Sequence, residues 1–334
     1  MKIASVNLSA LGDIVHAMVA LQFIKAAHPD AEIDWVVEER FADVLADNPD
    51  IRQILTLNLK ALKSQKLGVF NEIARIRRYA ERDYDSVIDA QGLVKSAIVA
   101  RMLARHCAGF DQDSIREKAA AWFYQHTVAC SYDANTIDRN VRVMTEPLGL
   151  AVSREQILGK KPFLFFRAPH LELDMYFGGG QHSILFVIGS TWPSRNYPKE
   201  KYLEVIRRLK ARSLIAWGNE QEKAAAEWIA RRSDAVVLPR LDLNDLKAVI
   251  ARVDLVIGND TGPTHMAWGL NRPSITLFGP TPVSRVYQTD INRVLKSPSV
   301  VNPYKLDKND FSIRDIAESA VAELAESLLK SGAA

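Results

Sequence analysis

Short apolar runs alternate with longer amphipathic stretches along almost the whole of this 334-residue chain. That rhythm predicts strands alternating with helices, and so parallel sheets joined by helical crossovers. Strands are expected near 2–7, 33–38, 53–57, 85–90, 183–188, 213–217, 235–238, 254–258 and 274–278. Helices are expected near 13–27, 40–47, 68–82, 93–105, 115–126, 136–148, 199–211, 219–232, 242–251, 263–270 and 312–330. The rhythm lapses where Gly159-Lys160-Lys161-Pro162, Pro169 and Gly178-Gly179-Gly180 read as connection. The length favours more than one domain. The expected division is an α/β domain over 1–160, a linker over 161–180, a second α/β domain over 181–311 and a closing helix within 312–334, free to pack back on the first domain.

Open parallel sheets take ligands beyond the carboxyl ends of their strands. The strand-to-helix junctions are therefore where chemistry is sought. The run Asp254-Leu255-Val256-Ile257 feeds Gly258-Asn259-Asp260-Thr261-Gly262-Pro263-Thr264-His265, and Pro263 suits the start of a helix. Such an N-terminus offers unpaired N–H groups and a positive dipole end to phosphate. Gly262 admits the phosphate, Thr261 and Thr264 add hydroxyls, and Asp260 and His265 add titratable groups. Ser190-Thr191-Trp192-Pro193-Ser194-Arg195 follows the first strand of the second half, and Arg195 can bridge phosphate oxygens. Trp217-Gly218-Asn219-Glu220-Gln221-Glu222 offers Glu220 or Glu222 to a nucleoside, and Phe278-Gly279-Pro280-Thr281 is a further candidate wall.

The first half opens with a matching junction, Ser9-Ala10-Leu11-Gly12-Asp13. Asp13 reads both as N-cap of the first helix and as a general base within reach of a hydroxyl. Asp89-Ala90-Gln91-Gly92 ends a later strand, with Asp89 or Gln91 as cleft-facing candidates, and His16 reads as packing. Two such domains facing each other would form a cleft with one substrate on each side.

The net charge of +3 gives no argument for nucleic acid, but its distribution is uneven. Lys60, Lys63, Lys66, Arg75, Arg77, Arg78 and Arg82 face only Glu72 and Glu81, and Arg75, Arg78 and Arg82 share one helical face. Cys107 and Cys130 give one pair and no metal spacing, which favours a reducing compartment. Neither a zinc spacing, a P-loop nor a GxGxxG after the first strand occurs, so a nicotinamide dehydrogenase is the weakest reading. The N-terminal run Lys2-Ile3-Ala4-Ser5-Val6 reads as a strand rather than a signal peptide. No apolar run is long enough to cross a bilayer.

Together these segments resemble the ADP-heptose:lipopolysaccharide heptosyltransferase family. The likeness rests on Leu8-Ser9-Ala10-Leu11-Gly12-Asp13-Ile14-Val15-His16, Asp34-Trp35-Val36-Val37-Glu38-Glu39, Ile88-Asp89-Ala90-Gln91-Gly92-Leu93-Val94-Lys95-Ser96-Ala97 and Asp260-Thr261-Gly262-Pro263-Thr264-His265. It runs from Met1 to about Phe278. The resemblance implies a GT-B fold, two Rossmann-like domains facing across a cleft. It implies inverting transfer of L-glycero-D-manno-heptose from its ADP donor to the Kdo residue of Kdo-lipid A.

On that resemblance Asp13 is the catalytic base. The resemblance implies that Ser190, Thr191, Arg195, Asp260, Thr261, Gly262 and His265 bind the donor and that Lys60, Lys63, Lys66 and Arg116 meet the acceptor, while the strand-end reading adds Trp217, Gly218 and either Glu220 or Glu222 to the donor side and Gln91 to the acceptor side. Ser190 stands where many members carry threonine, and Arg195 where some carry lysine. No metal ligands are assigned and no cofactor is expected, with a Mg²⁺ requirement left open. The implied place is cytoplasmic, peripheral on the inner membrane. A different surface-polysaccharide acceptor is the alternative within the enzyme class, and a non-catalytic nucleotide-binding protein is the alternative outside it.

Overall fold

The computed structural model describes residues 1–59, 68–178 and 180–331. The chain divides into two compact units, Met1–Phe165 and Phe166–Ala334, a division that falls inside the expected linker.

In the first unit the order is β1 (Lys2–Val6), α1 (Leu11–Met18), α2 (Ala20–Ala27), β2 (Glu32–Glu38), α3 (Ala42–Leu45), β3 (Gln53–Leu57), α4 (Gly68–Ala80), β4 (Ser86–Asp89), α5 (Val94–Leu103) and β5 (Cys107–Phe110). A 3-10 turn (Lys118–Phe123), β6 (His126–Val128), α6 (Thr136–Thr145) and α7 (Arg154–Leu158) complete it. The six strands pair in the order β3-β2-β1-β4-β5-β6, all parallel. Because helices cover both faces, the inner strands are apolar on both sides, and Ile3, Val6, Trp35, Val36, Val87 and Ile88 are all buried. The helix expected at 115–126 is reduced to the 3-10 turn, and β5 and β6 were not expected.

In the second unit the order is β7 (Ser183–Val187), α8 (Lys199–Arg208), β8 (Arg212–Ala216), α9 (Glu220–Ala230), β9 (Val236–Val237), α10 (Leu243–Arg252), β10 (Leu255–Asn259), α11 (Gly262–Gly269), β11 (Ser274–Phe278), β12 (Asn292–Lys296) and α12 (Glu318–Ser331). Its sheet is again six-stranded and parallel, in the order β12-β11-β10-β7-β8-β9. Read from the other edge, this is the strand order of the first sheet, so each unit has the doubly wound topology of a nucleotide-binding domain. The strand β12 was not expected.

The closing helix corrects one expectation. Val321, Ala322, Ala325 and Leu328 of α12 are buried in one cluster with Tyr202, Val205 and Ile206 of α8. The helix therefore packs on the second unit. Lys201 of α8 fixes its start by donating to Ile316 O at 3.0 Å and to Glu318 at 2.9 Å.

The arginine face expected on α4 also separates. Arg82 lies beyond the helix and pairs with Glu32 and with the buried Asp34, which Arg52 and the Tyr84 hydroxyl also reach. Arg75 turns inward to Glu72 at 3.5 Å and to Thr56 O at 3.3 Å. Arg77 and Arg78 are the exposed pair. Cys107 and Cys130 are free thiols.

Candidate nucleotide and transfer site

In each sheet the strand order reverses between two adjacent strands, and a crevice opens beyond their carboxyl ends. In the second unit those strands are β7 and β10. β10 ends in Asn259, whose side chain is fully buried. Its Oδ1 accepts from Tyr197 N at 3.0 Å and Tyr202 OH at 3.1 Å, while its Nδ2 donates to Ile188 O at 2.9 Å. The strand end is thereby tied to the loop after β7.

Asp260 follows, with 1% of its surface exposed. Its Oδ1 lies 2.9 Å from His265 Nε2. Its Oδ2 accepts from Arg195 Nη1 at 3.4 Å, and Arg285 Nε lies 3.5 Å from the same oxygen. Burial pushes the carboxyl up, but Arg285, His265 and Arg195 more than offset it and hold it well below the usual carboxylate range. Asp260 is thus a buried anion, and it gathers two guanidinium groups beside the N-terminus of α11. Thr261 is the N-cap of that helix and Pro263 lies in its first turn, as the sequence implied. Arg195 also stacks on Trp192, with its guanidinium 4.8 Å from the ring centre.

A pocket of about 330 Å³ adjoins this cluster, lined among others by Gly189, Ser190, Thr191, Trp217, Gly218, Glu222, Thr261 and Pro263. That volume lies in the range of small-molecule sites. Trp217 is fixed as a wall by donating from Nε1 to Leu238 O at 2.7 Å. Glu222 belongs to the pocket, whereas Glu220 points to solvent at the start of α9. Asn219 caps that helix, so the third helical position, Glu222, turns back over it. Glu222 accepts from Gly218 N at 2.7 Å and from Asn219 Nδ2 at 2.7 Å. Gly189 makes this possible, because a Cβ there would stand 2.0 Å from Glu222 Cδ.

Three expectations change in this unit. Thr264 is buried, and its hydroxyl would lie 2.4 Å from a Cβ at Gly258, so it packs on β10 rather than facing a ligand. Phe278, Gly279, Pro280 and Thr281 are absent from the pocket wall, and Gly279 packs against Ile313. His265 acts on Asp260 from within the protein and is 4% exposed. Arg285 was missed altogether. It lies on a 3-10 turn (Val283–Arg285), and only the pairing of β10 with β11 brings it near Asp260.

In the first unit the crevice strands are β1 and β4. Asp13 is the third residue of α1 rather than its N-cap, which is Ala10. Its Oδ2 accepts from Ala10 N at 3.3 Å, and the residue is half-buried. Gln91 braces this turn across the crevice. Its Oε1 accepts from Leu8 N at 2.9 Å and its Nε2 donates to Ser9 Oγ at 3.2 Å. Lys95 donates to the same hydroxyl at 3.2 Å and pairs with Glu38 at 3.3 Å.

Asp89 is wholly buried beneath and accepts from Gln91 N at 2.8 Å, Gly92 N at 3.2 Å and Tyr124 OH at 2.7 Å. Burial pushes its carboxyl up to about 6 against these bonds. It therefore shapes the turn and does not face a substrate. Gly92 holds φ at +70°, which suits glycine. His16 is buried, as expected of packing. Arg116 is exposed and lies 3.9 Å from Glu117. Lys60, Lys63 and Lys66 fall outside the described residues.

Among the described residues one group has metal-like geometry, His170, Asp242 and Asp245. Its carboxylates are already used, Asp242 capping α10 and Asp245 accepting from His170 N at 2.8 Å.

Comparison with known proteins agrees with this geometry. A family model described as glycosyltransferase family 9 (heptosyltransferase) matches residues 73–298. A protein of Campylobacter coli named lipopolysaccharide heptosyltransferase 1 is 34% identical, covering 98% of this chain and 99% of its own length. Its namesake in Escherichia coli K12 is 30% identical over 84% of this chain and 88% of its own. A solved structure titled E. coli heptosyltransferase WaaC with ADP-2-deoxy-2-fluoro heptose is 25% identical, with a TM-score of 0.79, 98% of this chain and 99% of that one being covered. The E. coli ADP-heptose lps heptosyltransferase II structure shares the fold at 18% identity and a TM-score of 0.73. This chain is a glycosyltransferase of the GT-B class and belongs to glycosyltransferase family 9, the heptosyltransferases.

Proposed function

We propose that this enzyme transfers L-glycero-D-manno-heptose from ADP-L-glycero-β-D-manno-heptose to the Kdo residue of Kdo-lipid A, with inversion at the anomeric carbon. The observation that carries the donor half is the buried Asp260, with Arg195 and Arg285 on one oxygen beside a helix N-terminus and a nucleoside-sized pocket. The names of the relatives and the donor analogue in the WaaC title support the sugar and its nucleotide.

In this reading the adenosine enters between Trp217 and Glu222, with Glu222 toward the ribose hydroxyls. The diphosphate meets Ser190, Thr191, Arg195, Arg285 and the N–H groups at Thr261 and Gly262. Fixed positive charge there stabilises the ADP leaving group as the glycosidic bond breaks. Asp13 takes the proton of the attacking Kdo hydroxyl, and the bond from Ala10 N holds its carboxylate in the first turn of α1. Arg116, with Lys60, Lys63 and Lys66, meets acceptor phosphates and carboxylates. The acyl chains stay in a bilayer, so the enzyme works at the cytoplasmic membrane surface. No helix among the described residues is long and apolar enough to cross a membrane.

Mass spectrometry of the product made from ADP-heptose and Kdo-bearing lipid A tests the reading directly. One added heptose on Kdo is the expected result, and donor hydrolysis without transfer overturns it. Relatives named lipopolysaccharide heptosyltransferase 3, at 26% identity, motivate a second reading with another core acceptor. Acceptors of graded core length separate the two.

A further inference from the structure

We propose that the outer face built by α4, α5 and the Lys118–Phe123 turn docks the first unit on an anionic lipid surface. This deepens the reading of a membrane-borne acceptor by assigning the contact to one face. Along the sheet order, the steps β3 to β4, β4 to β5 and β5 to β6 all run the same way. Right-handed crossovers therefore place α4, α5 and the turn on one side of the sheet. Within that layer α5 packs against both α4 and the turn.

Each element shows solvent one large apolar side chain. Phe70 is 71% exposed, Ile98 41% and Trp122 81%. A single exposed apolar residue needs no explanation. Three on adjoining elements of one layer, two of them aromatic, suit the headgroup region of a bilayer, where aromatic rings are favoured.

The charges around them have one dominant sign. Arg77, Arg78, Arg101, Arg105, Arg116 and Lys118 are all exposed. At helical spacing Phe70 and Arg77 share a stripe with Arg78 at its edge, and Arg101 lies one turn after Ile98 on α5. α5 contains no acidic residue. The one acid within α4, Glu72, is buried and accepts from Asn58 N at 2.9 Å. The acids at the border are Glu81, Asp83, Asp111, Asp113 and Glu117. Asp113 pairs with Lys118 at 3.2 Å, and Glu117 accepts from Val94 N at 2.9 Å. Exposed arginines flanking exposed aromatic rings match an anionic headgroup layer over an apolar interior.

The test is sedimentation of the full-length protein with phosphatidylglycerol vesicles and with phosphatidylcholine vesicles, without donor or acceptor. Binding to the anionic vesicles that weakens with salt is expected. The double variant Arg77→Glu/Arg78→Glu should lose at least about tenfold in affinity. Phe70→Ser/Trp122→Ser should lose about fivefold while keeping the salt dependence. A blue shift of tryptophan fluorescence on vesicle addition should be diminished in Trp122→Phe. ADP binding and melting temperature, measured on each variant, show that the fold is intact.

Equal vesicle binding by every variant overturns the proposal and leaves the transfer reaction standing. Loss of binding in the variants, with no product from Kdo-bearing lipid A in the wild type, sinks the reaction instead and sustains this face. Self-association of the wild type through these residues, with no vesicle binding, assigns the face to a second copy and also overturns the proposal.

Discussion

The two units share one strand order, yet the crevices beyond their sheets are furnished in opposite ways. In the first unit the crevice is braced by neutral and paired groups. Gln91 spans from β4 to the turn after β1, Asp89 is buried beneath it, and Lys95 answers Glu38. In the second unit one buried carboxylate, Asp260, gathers Arg195, Arg285 and His265 beside the helix N-terminus. The same topology therefore supplies a location and nothing more. The loops decide whether that location holds an anion or presents one. The first crevice holds a half-buried carboxylate, Asp13, and the second holds guanidinium groups, which the proposed function assigns to a diphosphate.

The sharpest way to break that contrast is at Asp13. Asp13→Asn should lower kcat by roughly 10²–10⁴-fold while ADP affinity stays unchanged. Steady-state kinetics beside ADP titration checks it, and unaltered turnover removes Asp13 as base.

Asp260→Ala comes next. Two guanidinium groups lose their shared buried counterion, at a cost of about 3–5 kcal/mol in stability, read by denaturant unfolding. Because its carboxyl is held low in the fold, Asp260 contributes stability above the ordinary aspartate range, and that contribution fades as pH falls below it. Asp260→Asn should therefore flatten the acid limb of the stability profile.

Arg195→Ala and Arg285→Ala should each weaken ADP binding by about tenfold, measured by calorimetry. Full ADP affinity in Arg285→Ala would confine that residue to a structural role. Glu222→Gln should weaken ADP binding by about threefold, since a neutral amide still accepts one hydrogen bond.

A separate effect, on stability alone, concerns Lys160, buried near the ring of Phe163, where burial lowers its ammonium to about 7. The unfolded chain binds that proton more readily, so stability should rise as pH increases from 7 toward 10. Lys160→Met should abolish the rise.

Sequence patterning reached the doubly wound character of both units because their inner strands are apolar on both faces. It missed β5, β6 and β12, which are short or partly exposed edge strands. Cys107-Ala108-Gly109-Phe110 is apolar but only four residues long, and His126-Thr127-Val128 is shorter still and mostly polar, so neither shows a period. Asp13, expected at the cap of α1, lies at its third position, whereas the placement of Asp260 was legible because it follows β10 directly and precedes a helix. Arg285 was not, since its nearness to Asp260 depends on strand pairing across β11. The choice of Glu222 over Glu220 was available in principle from Asn219, because a cap fixes the phase of its helix. The misreading of Arg75 and Arg82 has a similar source: the buried Asp34 of β2 claims Arg82, while Glu72 on the same helix and Thr56 O of β3 claim Arg75.

The bonds made by Asn259 bear on how tightly the donor can be held. One amide clamps the end of the strand that leads into Asp260 to the segment that carries Arg195. On the proposed function, the two halves of the phosphate cradle are thus set in place before any nucleotide arrives. A ligand entering such a cradle loses little of its binding free energy to immobilising mobile chain, so even a small, highly hydrated dianion can be captured at modest concentration.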